Sequence, residues 1–215
     1  MAVKHAKTLD DQQFEKLLHR LTKDTKRPKV EKVAFLLSYK SGLRVQEIAG
    51  LQWDKNLLDA EGNLRTEEYV VAGSKGRAKK VRHPVIFIGS DIGKYGHERT
   101  IRMHDMLRDA IIDLREEGLP GPWLLPSGRN GAEQGVKSRA HALKMRINRF
   151  YDAMGYDGCS SHSGRRTFIT KAARAANFAN CSLVDVQQMA GHRQLTTTQN
   201  YIDTSSMQAD LISLI

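Results

Sequence analysis

His162-Ser163-Gly164-Arg165-Arg166-Thr167-Phe168, then Gly191-His192, then Tyr201 nine residues past that histidine, decide how this chain is read. They place two imidazoles, two guanidiniums and a phenol along one stretch of a basic protein. Far upstream stands Ser41-Gly42-Leu43-Arg44-Val45-Gln46-Glu47-Ile48, with Leu51 and Trp53 after it. Arg44, His162, Arg165, His192 and Tyr201 together supply what displacement at a phosphodiester asks for: two cationic clamps, proton carriers and a nucleophile.

Composition sets the frame. The 215 residues are enough for one domain, or two small ones, with an ordinary hydrophobic core. With 34 Lys and Arg against 24 Asp and Glu, the formal net charge is +10. Such an excess favours a polyanionic partner. Nucleic acid fits better than membrane, because no strongly apolar amphipathic stretch accompanies the charge. Cys159 and Cys181 form no CxxC pair, and the eight histidines show no zinc-ligand spacing, so a metal site is not expected. Two cysteines are too few for a disulfide framework, which points to a reducing compartment. The N-terminus lacks an apolar targeting segment, and no run of residues approaches a membrane span; a cytoplasmic protein is expected.

Along the chain, Thr8 before Leu9-Asp10-Asp11 predicts the start of a helix carrying Phe14, Leu17, Leu18 and Leu21 at helical spacing. Pro28 suits the first turn of a second helix running to about Tyr39, and Gly42 ends it. A short third helix is predicted over Val45 to Leu51, with Arg44 at its beginning. The middle changes character. Tyr69-Val70-Val71, Val85-Ile86-Phe87-Ile88 and Arg99-Thr100-Ile101-Arg102-Met103 read as strands of a small antiparallel sheet. A helix resumes from His104 to about Gly118, another carries Leu143, Ile147, Phe150, Tyr151 and Met154, and three more are predicted around 163–176, 183–190 and 196–203. The fold class expected is α+β: mainly α-helical, with a small antiparallel three-stranded sheet inserted.

Charge that builds on the non-bridging oxygens of a phosphate needs compensation in the transition state. Arginine meets this need better than lysine, since its planar fork donates two parallel bonds. A phenol with a pKa near 10 must shed its proton to attack, with a base and cations assisting. Taken singly, Tyr201 fits a half-buried helix tyrosine, and His192 fits a histidine at a helix C-terminus.

The GxRxxE segment around Arg44, the HxxR segment from His162 and the GHxxxxTTxxY segment resemble the tyrosine recombinase (phage integrase) family, over about residues 8 to 205. The resemblance implies the tyrosine-recombinase catalytic-domain fold over 1–215 and a site-specific recombinase that cuts and rejoins DNA through a 3′-phosphotyrosine. It implies Tyr201 as nucleophile, Arg44, Arg165 and His192 as stabilisers of the transition state, His162 as the base, and Glu47 in the supporting acidic position. It also implies a lysine on a β-hairpin that protonates the leaving 5′-oxygen. Two lysines compete: Lys75 in Gly73-Ser74-Lys75-Gly76-Arg77, and Lys94 in Gly93-Lys94-Tyr95-Gly96-His97-Glu98-Arg99. The second context, a lysine-bearing turn with Arg99 opening the next strand and then a long helix, matches the family better, and Lys94 is the assignment. Arg166 stands where the family often has histidine, and Arg102 where many relatives have proline.

The phosphotyrosine conserves the bond, so neither nucleotide cofactor nor divalent metal is expected. Double-stranded DNA is the expected partner, gripped by Lys75, Arg77, Lys79, Lys80, Arg139, Lys144, Arg146 and Arg166, with Arg82, Lys137 and Arg149 as further candidates; which of them read bases is not deducible. The N-terminal helical domain that relatives carry is not expected within this chain. The apolar tail 204–215 suits docking on another subunit of a DNA-bound tetramer, or equally a contact within its own core. Three rivals are a helix–turn–helix regulator built on Leu183 to Tyr201, a type IB topoisomerase, and a non-catalytic DNA-binding relative.

Overall fold

Asp10 starts the first helix. Its carboxylate accepts from the backbone of Gln13, and the Gln13 side chain accepts in return from the Asp10 N–H. This reciprocal cap, rather than Thr8, fixes where α1 (Asp11–Asp24) begins. Phe14, Leu17 and Leu21 then lie on one buried face. Pro28 opens α2 (Pro28–Ser41), whose sequence is buried nearly all round, from Val30 through Tyr39. That helix is the spine of the molecule: α1, α4 and α6 all pack on it. The computed structural model describes residues 6–72, 77–118, 121–126, 135–176, 179 and 181–201.

Gly42 ends α2 in the left-handed conformation (φ 63°), and the chain turns directly into α3 (Val45–Gly50). A side chain at Gly42 would suffer twice, from its backbone and from collision with the Phe168 ring. A π-helical turn, Trp53–Leu57, leads to the sheet. Strands β1 (Thr66–Ala72), β2 (Ala78–Ile88) and β3 (Arg99–Arg102) are antiparallel in that order. The strands are longer than the apolar runs suggest for β1 and β2. The reason lies in the long middle strand, which changes partner at Pro84. Ala78 to Pro84 pair with β1, and Val85 to Ile88 pair with β3. The first half is a charged ribbon open to solvent, while Val85, Ile86 and Ile88 enter the core.

His104 caps α4 (Asp105–Arg115), its Nδ1 accepting from the Met106 N–H. The long α5 (Val136–Ala153), α6 (Ser163–Ala175), α7 (Leu183–Ala190) and the short α8 (Leu195–Gln199) complete the described elements. The main core joins α1–α5 and the sheet around fully buried Leu17, Leu36, Leu37, Ile48, Ile86 and Ile111, each worth about 2 kcal/mol of burial. A small second core, Ile169, Ala176, Val186 and Ala190, holds α6 to α7, and Tyr201 packs on its edge. The expected architecture, mainly helical with a three-stranded antiparallel sheet, is the one observed. Lys75 and the tail 204–215 lie outside the described residues.

Candidate active site

Three chain corners meet at one place: the α2–α3 turn, the start of α6, and the α7–α8 corner. Arg44 sits just ahead of α3 with extended backbone (φ −73°, ψ 149°). Its N–H donates to Glu47 Oε2 at 2.8 Å and its Nη1 to Oε1 at 3.0 Å. Glu47 is 1% exposed, so its carboxylate stands or falls on these partners. The second set comes from Arg99 at the head of β3, whose Nη1 and Nη2 donate to the two oxygens at 3.0 and 2.9 Å. Burial pushes the Glu47 carboxyl up, but Arg99 and then Arg44 outweigh it and hold the group below the usual range.

The far end of Arg44 reaches the α7–α8 corner, where Nη2 donates to Gly191 O at 3.0 Å. Gly191 closes α7 in the left-handed region (φ 63°), and a Cβ there would lie 2.9 Å from the Arg99 guanidinium. Arg165, on the first turn of α6, is buried beneath the same corner. Its Nη1 donates to Gly42 O, and its Nη2 to Ala190 O at 2.8 Å. The same Nη2 meets His192 Nε2 at 2.8 Å. Burial first, and the Arg44 charge second, push the Arg165 guanidinium down to about 10, so it stays charged at neutral pH.

An arginine can only donate, so His192 Nε2 must be the bare nitrogen and Nδ1 must carry the proton. Nδ1 then donates to buried Thr198 Oγ1 at 2.9 Å. Burial, then Arg165, Arg44 and Arg99, push this imidazole down to about 4, in agreement with a neutral ring. Tyr201 follows α8, and its ring stacks on His192 with centroids 5.5 Å apart and planes 22° from parallel. The Arg166 guanidinium lies 5.5 Å from the tyrosine ring centre. Thr170 Oγ1 donates to the Tyr201 carbonyl at 3.2 Å, which ties the segment to α6.

His162 is the exposed N-cap of α6, its pKa pushed down by partial burial and then by Lys144, Arg165 and Arg44. Lys94 lies in the exposed β2–β3 turn, within a single 3-10 turn Lys94–Gly96, with Nζ 4.8 Å from the Tyr95 ring. Its charge contributes to the depression of His192. The structure therefore brings Arg44, Arg165, His192 and Tyr201 together, with Lys94 and His162 at the rim. The Arg99 fork neutralises Glu47, and the Arg44 and Arg165 guanidiniums leave the centre cationic, which suits a phosphate. An open cleft of about 590 Å³ runs beside His192 between β3 and α7. Among the described residues no cluster of three or more His, Cys, Asp or Glu could hold a metal ion.

The wider basic set divides. Arg77, Lys79, Lys80 and Lys144 are exposed, and Lys80 pairs with Glu68 across the ribbon at 2.7 Å. Arg146 is half-buried in an ion pair with Glu31 at 3.0 Å, which leaves it less available to DNA than its sequence position suggests. Arg139 is a correction. It is 3% exposed, donates to Ala49 O and Leu125 O, and lies 4.3 Å from the Trp123 ring centre. A guanidinium spent on two carbonyls and an indole inside the protein is a structural bolt, not a phosphate contact. Arg99 enters the sequence reading only as the arginine that opens the strand after Lys94; its grip on Glu47 is what the motifs do not reveal.

A model of the phage integrase family matches residues 7–207. The chain belongs to the phage integrase family. The phage integrase fold extends to solved structures. The Tn1549 transposon integrase in complex with transposon right end DNA has a TM-score of 0.64 at 18% identity, over 100% of this chain and 66% of that one. XerH site-specific recombinase bound to difH substrate has a TM-score of 0.63 at 15% identity, over 100% and 56%. XerA recombinase gives 0.62 at 18% identity, over 98% and 65%. This phage integrase chain thus spans less than two thirds of their length, and at such identities the likeness is one of fold. No curated protein matches it in sequence. No helix among the described residues is long and apolar enough to cross a membrane.

Proposed function

We propose that the chain is a site-specific DNA recombinase that cleaves and rejoins a strand through a 3′-phosphotyrosine. The observation that carries this reading is the meeting of Arg44, Arg165, His192 and Tyr201 at the Gly191 corner. A scissile phosphate entering there displaces the Arg165–His192 bond and takes the Nη2 donor for a non-bridging oxygen. The anion raises the proton affinity of His192, which then donates as well. The Tyr201 oxygen attacks phosphorus, its proton passing to His162, while the P–O5′ bond breaks and the 5′-oxygen takes a proton from Lys94. Atoms and charge balance with no external reagent. A helix–turn–helix regulator would have no use for the buried Glu47 or for the bond from Arg44 to Gly191 O.

Duplex DNA is the substrate in this reading. The chain works where DNA lies, in the cytoplasm, and the 204–215 tail joins subunits into an oligomer. The test uses nicked duplexes from a randomised library, trapped on the protein, recovered and sequenced. A protein–DNA adduct on a denaturing gel that vanishes with Tyr201→Phe supports the reading; DNA binding without any adduct contradicts it. For the acid, Lys94→Ala is expected to stop cleavage of an ordinary duplex but not of one with sulfur at the bridging 5′ position, where the leaving group needs no proton. The same behaviour from Lys75→Ala instead would reassign that role.

A further inference from the structure

Arg99 begins β3 five residues after Lys94, on the same connection from β2. Between them the turn is exposed, from Lys94 through Glu98, and nothing in the core claims it. Arg99 is where that changes. Its side chain is 9% exposed and ends in a fork that takes both oxygens of Glu47, while Nε donates to Met189 O at 3.3 Å. One guanidinium thus joins three elements: the strand below the Lys94 turn, the start of α3 beside Arg44, and the last turn of α7 before His192. A buried two-pronged pair of this kind fixes direction as well as distance.

Arg44 has its own backbone and side-chain bonds to Glu47 and a third bond to Gly191 O. The strand end pairs with Ile88 through its backbone, and the Ser90 N–H donates to Glu98 across the connection. Among the described residues, only the Arg99 fork ties this base of the turn to α3 and α7 by hydrogen bonds. Gly191 keeps the space for it, since any Cβ there would press on the fork.

We propose that Arg99 is a positioning residue: it anchors the β2–β3 turn to Glu47 and the α7 end so that Lys94 reaches the leaving oxygen. The proposal rests on the recombinase reading above. Misplacing a reacting group by about 1 Å costs on the order of a hundredfold in rate, and that is the loss expected for Arg99→Gln on an ordinary duplex. On the duplex with bridging 5′ sulfur, the loss for the same variant is expected to be smaller by about tenfold or more, because no proton is then needed. Arg99→Lys, which keeps the charge but loses the fork, is expected between the two on the ordinary duplex. Both rates are read on full-length protein shown to be folded by its thermal transition. Equal losses on the two substrates, or no loss on either, overturn the positioning role while leaving the recombinase intact. No adduct from the unsubstituted chain on either substrate overturns the recombinase reading, and this proposal with it.

Discussion

His192 is the residue where environment most changes chemistry. Its pKa of about 4 in the fold lies below the ordinary histidine value, so the unfolded chain takes up the proton first as pH falls. The stability tied to the neutral ring is therefore complete above about pH 6.5 and drains away toward pH 4, worth about 3 kcal/mol in all. Denaturant titrations at pH 7 and pH 5 are expected to show the acid loss, and His192→Asn to shrink it; an equal loss in both proteins would contradict the assignment. His162 is shifted in the same direction by burial and nearby cations, so the acid limb of the cleavage-rate profile is expected to lie lower than an ordinary histidine would set it, and His162→Ala to remove that limb. Arg139 belongs to stability instead. Arg139→Ala strands two carbonyl acceptors and empties the face of Trp123, and is expected to cost about 3 kcal/mol by denaturation with DNA affinity unchanged at equal folded fraction. The spacing contained the clue: Arg139, Leu143 and Ile147 recur every four residues and are all buried, so the arginine lies on the apolar stripe of α5. Reading it by charge alone sent it to the surface. The site contact of Arg99 escaped for the opposite reason, because its bond to Glu47 spans 52 positions that no local pattern connects.

Elements whose ends have their own chemistry were legible in the sequence. Pro28 and Gly42 bound α2 as expected, and the Ser182–Asp185 cap starts α7 where the pattern placed it. The strand lengths were not, because β1 and the first half of β2 are charged and exposed, and hydrophobic periodicity has nothing to mark there. That ribbon, Thr66–Ala72 against Ala78–Pro84, presents Lys79, Lys80 and Arg82. The Lys80–Glu68 pair is open to solvent, worth little, and free to yield to phosphate. If the ribbon lies on the duplex, Lys79→Ala with Lys80→Ala lowers the slope of log affinity against log salt by about 0.9 for each contact removed. An unchanged slope would place the ribbon away from DNA.

For the whole molecule, one buried carboxylate and three buried or half-buried arginines draw the α2–α3 turn, β3, α6 and the α7–α8 corner onto a single point. The motifs named most of these side chains, since GxRxxE, HxxR and GHxxxxTTxxY each keep their spacing. What they did not reveal is how the corners lock together, because that depends on carbonyls at Gly42, Ala190 and Gly191, which any residue supplies. The central claim is that this point receives a scissile phosphate and that Tyr201 attacks it. The most direct measurement is mass spectrometry of the proteolysed covalent adduct formed on a nicked duplex. The account expects a nucleotide 3′-phosphate esterified to the peptide carrying Tyr201 and to no other; a nucleotide on any other residue, or none at all, would contradict it.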